Sequence, residues 1–228
     1  MPGQPAAERS LELTSTGLQV HLLGPPTIEL DGHPLTIRRR QVRALLYHLA
    51  ARLEPIPREH LCYLFWPDSP EAAGRRKLSH LLTHLRHALP VLDVMLIDKD
   101  HVALNPHRVR SDAVAFEMLS TAPKLYQNTE ALQEAGRLYR GPFLAGFSLP
   151  DSPEFEAWIV LERSNWERQY LKVLAALVEE QMAQSSYHAA IAYARCYLEI
   201  DNLAEEMHRT LITLYTIVGD RNEALRQY

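Results

Sequence analysis

The sequence predicts a mainly α fold with small β-sheets, in which a mixed stranded and helical N-terminal part precedes an all-α C-terminal part. Three observations predict it. Between Leu18 and Ile37 the apolar residues fall in short runs broken by turn residues, as strands do. Helical spacing then recurs in three stretches before Pro90, and alternation returns between Val94 and Leu104. From Ser111 onward the spacing is helical throughout, and one segment matches another 34 residues later. With 228 residues and 46% hydrophobic content, the chain can bury one large core or two small ones.

Residues 1–16 are rich in Pro, Gly, Ser and Thr and are expected to be a disordered leader. LQVHLLG, PTIELDG and HPLTI follow, with turns at Gly24-Pro25-Pro26 and Asp31-Gly32; the latter pair marks a hairpin in a small antiparallel sheet. Val42, Leu45, Leu46, Leu49 and Leu53 then space a first helix over about Arg39–Arg52. The Arg38, Arg39, Arg40 and Arg43 cluster at its start opposes the helix dipole unless an anion lies near; a nucleic-acid phosphate, Glu29, Asp31 or solvent would each serve. Pro55 and Pro57 break the chain, and a second short helix over Arg58–Trp66 turns Leu61, Leu64 and Phe65 inward. Trp66 reads as a core or corner residue.

The third helix, from Ser69 to Pro90, has two faces with different chemistry. Ser69 is placed as its N-cap, Pro70 at its first position and Glu71 at its positive end. Leu78, Leu81, Leu82, Leu85 and Leu89 form one apolar stripe that needs a core. Opposite lie Arg76, His80, Thr83 and His87, flanked by Lys77 and His84 on one side and Arg75, Ser79 and Arg86 on the other. No acid follows Glu71 in this helix, whereas a solvated face ordinarily mixes both signs. The pattern fits contact with DNA or RNA, an ordinary basic surface, or, through His80, His84 and His87, a zinc site for which no Cys or carboxylate stands nearby.

After Pro90, two strands around Asp98-Lys99-Asp100 put Val94, Leu96, Val102 and Leu104 in alternation, with Lys99 and His101 near the tip. Three helices and a hairpin, the third helix cationic, make a winged helix-turn-helix over residues 17–110. Charge divides at the same place. Residues 1–110 carry 14 Lys and Arg against 11 Asp and Glu, and residues 111–228 carry 10 against 17, as a basic contact module joined to an acidic partner module would.

The second part, 111–228, has one long helix from about Glu154 to Gln184, capped by Ser152-Pro153, with Trp158, Leu161, Trp166, Tyr170, Leu174 and Leu177 supplying buried faces. Ser185 and Gly219, Ala190 and Ala224, and Ile191 and Leu225 are each 34 residues apart, the period of a tetratricopeptide repeat. The last repeat stops at Ala224, Leu225 and Tyr228 without a cap, so the natural protein is expected to continue. Cys62 and Cys196 sit in apolar helical patterns and read as reduced, buried thiols.

These residues carry a resemblance. The order L-x-V-x-L-L-G-P-P from Leu18, Asp31-Gly32, R-A-L-L-Y-H-L-A from Arg43, R-E-x-L from Arg58, F-W-P-D from Phe65, R-x-K-L from Arg75 and H-L-R-x-x-L from His84 resembles the SARP family of bacterial transcription factors. S-D-A-V-A-F-E from Ser111 and L-Y-R-G-P-F-L from Leu138 are similar to that family's bacterial transcriptional activation domain. The resemblance covers nearly the whole chain from Leu18. It implies an activator that binds direct repeats in double-stranded DNA near promoters as side-by-side protomers, a homodimer on DNA, and that contacts RNA polymerase.

On that reading Arg76, His80, Thr83 and His87 contact bases, and Arg75, Lys77, Arg86, Arg39 and Arg40 hold phosphates. Lys99 and His101 reach the sugar-phosphate from the wing. The alternative is a repeat-based interaction module whose winged helix contacts protein. Motifs for a phosphate loop, a nucleophile elbow, a HExxH helix or paired cysteines do not occur, so no enzyme, cofactor or bound metal is expected. No signal peptide or membrane-length apolar run is present, and a cytoplasmic location is expected.

Overall fold

The computed structural model describes residues 17–90, 93–121 and 129–227; the expected leader and Tyr228 lie outside them. Strand β1 (Leu18–His21) pairs antiparallel with β2 (Thr27–Leu30), which turns into β3 (His33–Pro34). Asp31 and Gly32 take φ of 50° and 78°, the left-handed pair that a two-residue hairpin requires to match strand twist. Helix α1 (Arg40–Ala50), strand β4 (Ile56–Pro57), α2 (Arg58–Phe65) and α3 (Glu71–Ala88) follow. The wing is β5 (Met95–Ile97) against β6 (His101–Leu104), with β4 pairing on the other side of β6.

Strand β7 (Val109–Ser111) then returns to β1 and pairs with it in parallel, so the first sheet runs β3-β2-β1-β7. Sequence reasoning did not foresee this strand, and the expected junction between residues 110 and 111 falls inside it. The all-helical remainder comprises α4 (Asp112–Thr121), α5 (Thr129–Leu138), α6 (Pro153–Ala183), α7 (Tyr187–Ile200), α8 (Glu205–Val218) and α9 (Arg221–Gln227). Helix α6 has 31 residues, about 45 Å of rod at 1.5 Å per residue. From it, α7, α8 and α9 pack each on the one before.

The 34-residue offset marks equivalent helix ends. After α6, Ser185 takes φ 58° and the Ser186 N–H donates to the Gln181 carbonyl; after α8, Gly219 takes φ 82° and the Asp220 N–H donates to Tyr215. Both close the helix with a left-handed residue and a bond spanning the last turn, but only one position has the glycine that does so without steric cost.

Several expectations are corrected. Ser69 and Ser152 precede helices without capping them through the side chain: the Ser69 hydroxyl accepts from Lys77, and the Ser152 hydroxyl reaches the Phe65 carbonyl at 3.4 Å. Pro70 stands before α3 instead of inside it, its carbonyl taking the Ala73 and Gly74 N–H groups. Leu96 is 50% exposed because β5 begins at Met95 and turns Met95 and Ile97 toward the core. Leu161 points outward from α6, since Ile159 and Glu162 occupy its buried side. Cys196 is exposed on α7 and Cys62 half-buried; both are free thiols.

One hydrophobic core runs through both parts, from Leu18 and Leu45 through Leu78 and Phe116 to Phe143, Trp166 and Leu177, and a second, smaller cluster joins α6, α7 and α8 through Val178, Ala194, Leu211 and Tyr215. Polar clasps reinforce it. The Asp112 carboxylate, 3% exposed, accepts from the N–H groups of Leu22 (2.6 Å) and Leu23 (3.2 Å) and from Arg140 (3.3 Å). Arg52, just past α1, donates to Glu117 on α4 at 2.8 Å and Glu162 on α6 at 3.0 Å, with its guanidinium 4.4 Å from the centre of the Trp166 ring. Gly24 (φ 121°) meets the 140–141 backbone so closely that a Cβ there would lie 3.3 Å from Arg140 Cβ. Beside these clasps His48 is buried against Trp158, ring centres 4.4 Å apart, and burial followed by the charge of His60 pushes its pKa down to about 3.

Burial raises the Glu162 pKa and Arg52 opposes that rise. Arg52→Met therefore costs about 2 kcal/mol at pH 7 by leaving Glu162 charged and unpaired. The raised folded-state pKa favours proton uptake by the folded form, so the deficit shrinks toward pH 5; urea unfolding at both pH values measures it. Ser185→Gly relieves a left-handed side chain and raises stability by about 0.5–1 kcal/mol, read as an increase in Tm.

Candidate nucleic-acid interface

Helix α3 presents its polar face because its other face is consumed by the core. Leu78, Leu81, Leu82, Leu85 and Leu89 are all at most 5% exposed, packed toward α1 and α2. Gly74 sits where α2 crosses, its absent side chain leaving room for Cys62, whose Cβ would be 3.5 Å from an added Cβ. With the apolar stripe pinned, Arg75, Arg76, Lys77, Ser79, His80, Thr83, His84, Arg86 and His87 all face solvent. The structure thus places all four expected base-contacting residues, Arg76, His80, Thr83 and His87, on one exposed surface.

The cations divide into two sets. Arg76 and Arg86, together with Arg39 and Arg40 at the start of α1, make no ion pair among the described residues. Arg75 bridges Glu71 at 2.8 Å and Glu59 at 3.2 Å. Lys77 donates to the Ser69 hydroxyl at 2.9 Å and lies 5.9 Å from the centre of the Trp66 ring, which is half-buried at the corner between α2 and α3. Thr83 and Ser79 hydroxyls donate back to the carbonyls four residues earlier, at 2.9 Å each, and keep only acceptor capacity outward.

A concavity of about 290 Å³ joins the two helices, with Arg39, Gln41, Lys77, His80 and His84 around it. Reduced hydration, then the positive charges of Arg39, His80 and His87, hold the His84 imidazole below its ordinary pKa. No three His, Cys, Asp or Glu side chains among the described residues are grouped so as to hold a metal ion; the histidines of α3 do not converge as their spacing allowed.

The wing is tied to α3 by Arg58, a residue that sequence reasoning placed only as the start of α2. Its N–H donates to the Asp100 carbonyl at 2.8 Å, and its guanidinium reaches the Asp98 carbonyl and the Ser79 hydroxyl at 3.3 Å each. Its role follows from the pairing of Ile56-Pro57 with β6, which no local pattern in the sequence signals. At the wing tip, Asp98 takes the N–H groups of His101 and Asp100, which lower its pKa in that order. Lys99 and His101, expected on phosphate, stand 3.7 Å from Asp100 and 3.8 Å from Asp98.

Among solved structures, the fold is similar to that of Mycobacterium tuberculosis EmbR in complex with low affinity phosphopeptide, with a TM-score of 0.65 over 92% of this chain at 20% identity. This chain spans 57% of the length of that one. No curated protein sequence matches. The model of the bacterial transcriptional activator domain matches residues 110–228, just over half of the chain. The chain belongs to the bacterial transcriptional activator domain family.

Proposed function

We propose that the protein is a sequence-specific DNA-binding activator, with residues 17–110 as the DNA reader and residues 111–228 as the part that engages RNA polymerase. The observation that carries this reading is the exposed face of α3, free of acids after Glu71, whose cations Arg76 and Arg86 make no ion pair with a described residue, beside Arg39 and Arg40, which make none with one either. A major groove supplies phosphates for such charges and base edges for the imidazoles and guanidinium between them. Arg76, His80, Thr83 and His87 contact bases; Arg39, Arg40 and Arg86 contact phosphates first. Arg75, Lys77, Lys99 and His101 join only by exchanging partners they already have. Protomers sit side by side on direct repeats in double-stranded DNA, and the site of action is the bacterial cytoplasm.

The acidic wing tip, Asp98 and Asp100, favours a second reading in which the winged helix meets a protein. Fluorescence anisotropy with promoter duplexes from the source genome separates the two. The DNA reader binds with a steep salt dependence, and Arg76→Ala combined with His80→Ala abolishes specific binding. Arg86→Ala weakens all sequences alike and lowers the log-log salt slope by about 0.9. A folded chain that binds no duplex, or binds with a flat salt response, supports the protein contact instead.

The histidines add a pH dependence. In the free protein reduced hydration, then Arg39 just before α1 and the neighbouring imidazoles His80 and His87, disfavour a charged His84. A phosphate reverses that field, so the bound state has the higher pKa, binding takes up protons, and affinity rises as pH falls from 7.5 to 6. The gain is at most about tenfold per pH unit for each proton taken up. Equal Kd values at the two pH values remove the histidines from the contact.

A further inference from the structure

Away from the α3 face, a concavity of about 360 Å³ opens between the β2–β3 hairpin, the start of α1 and the Ala145–Phe147 turn. That volume lies within the range of small-molecule sites. Its walls are largely apolar, with Ile28, Leu35, Ile37 and Phe147 among them, and no Asp or Glu lines it. Arg40, Arg43 and Tyr47 do.

The walls are held in place. The Leu35 N–H donates to the Ile28 carbonyl and Arg43 Nη1 to the Ile37 carbonyl, both at 2.8 Å. The Tyr47 and Phe147 rings meet edge to face at 5.1 Å, and the Arg43 guanidinium lies 5.9 Å from the centre of the Phe147 ring. The polar groups are nonetheless available. Arg43 has further N–H donors beyond the one given to Ile37, Arg40 makes no ion pair with a described residue, and the Tyr47 hydroxyl makes no hydrogen bond with one. A largely apolar slot lined by two arginines that make no ion pair with a described residue, and by Tyr47, matches a ligand with an apolar body and one anionic end. A DNA phosphodiester would satisfy the charges but leave the apolar walls unfilled.

We propose that this cavity is a binding site for a small amphipathic carboxylate, an aryl-alkyl or medium-chain alkyl acid. Its carboxylate is held by Arg40 and Arg43, and its body lies against Ile28, Ile37 and Phe147. The site is lined by both parts of the chain; it shares Arg40 with the proposed phosphate contacts, but no residue of α3 lines it, so its occupancy is read without DNA.

The test therefore uses no DNA. The full chain is titrated with 4-phenylbutyrate and octanoate, and with their amides, followed by ¹H–¹⁵N correlation spectra and by Tm, for wild type, Arg40→Gln and Thr36→Trp. Expected are saturable shifts centred on the Ile28, Ile37 and Phe147 amides and a rise in Tm with the acids. Binding at least tenfold weaker is expected for the amides and for Arg40→Gln, and loss of binding for Thr36→Trp, whose indole fills the slot. Arg40 is exposed and holds no wall, so its Gln variant keeps the test valid even where Thr36→Trp does not fold. No saturable shifts, shifts centred elsewhere, amides that bind as well as acids, or an Arg40→Gln variant that binds like wild type would each overturn the proposal.

Discussion

The buried carboxylate of Asp112 is the interaction on which the joining of the two parts depends. A charge taken out of water is tolerated only when paired and hydrogen-bonded, and this one has both. It accepts two N–H groups from Leu22 and Leu23, where the backbone leaves β1, and is neutralised by Arg140 from the far side. Around that clasp the backbone itself is shared: Leu144 and Ala145 donate to the carbonyls of Leu22 and Gly24, and Leu23 bridges Phe143. The Arg52 pairings with Glu117 and Glu162 fasten the opposite end of the same contact. The apolar core can be continuous because these polar groups satisfy one another where the surfaces meet.

That arrangement gives physical content to the family motifs. In S-D-A-V-A-F-E, Asp112 is the clasp and Phe116 packs against Trp166. In L-Y-R-G-P-F-L, Tyr139 stacks on Tyr170 at 4.0 Å, Arg140 neutralises Asp112, Gly141 closes on the Gly24 backbone, and Phe143 fills the space beside Trp158 and Trp166. Their residues hold the parts together, which a reading in search of ligand-binding groups would pass over.

Much of the fold was legible because it rests on local rules. Leucines at helical spacing located α3 and its buried face, and Asp31-Gly32 located a hairpin whose backbone needs just those residues. The long α6 followed from the absence of Gly and Pro. What was not legible depends on partners distant in sequence. Strand β7 is three residues long, and nothing in Val109–Ser111 announces that β1 lies beside it. Serines before helices look like caps, yet Ser69 and Ser152 find other partners in the folded chain. The polar face of α3 was legible as a face. Which of its cations are already engaged, as Arg75 is with Glu59 on another helix, was not.

The return of β7 to β1 bears on how such a chain can be taken apart. A cut between residues 110 and 111 does not pass through a tether; it severs a strand of the first sheet. The piece before the cut would keep Leu22 and Leu23 with their N–H groups facing nothing, and would expose His48 on α1 and Arg52 just past it, which both meet α6. Grafting the winged helix onto a foreign C-terminal part would thus require carrying over α4, the 138–149 segment and the buried side of α6. The chain has the composition of two modules and the mechanics of one body.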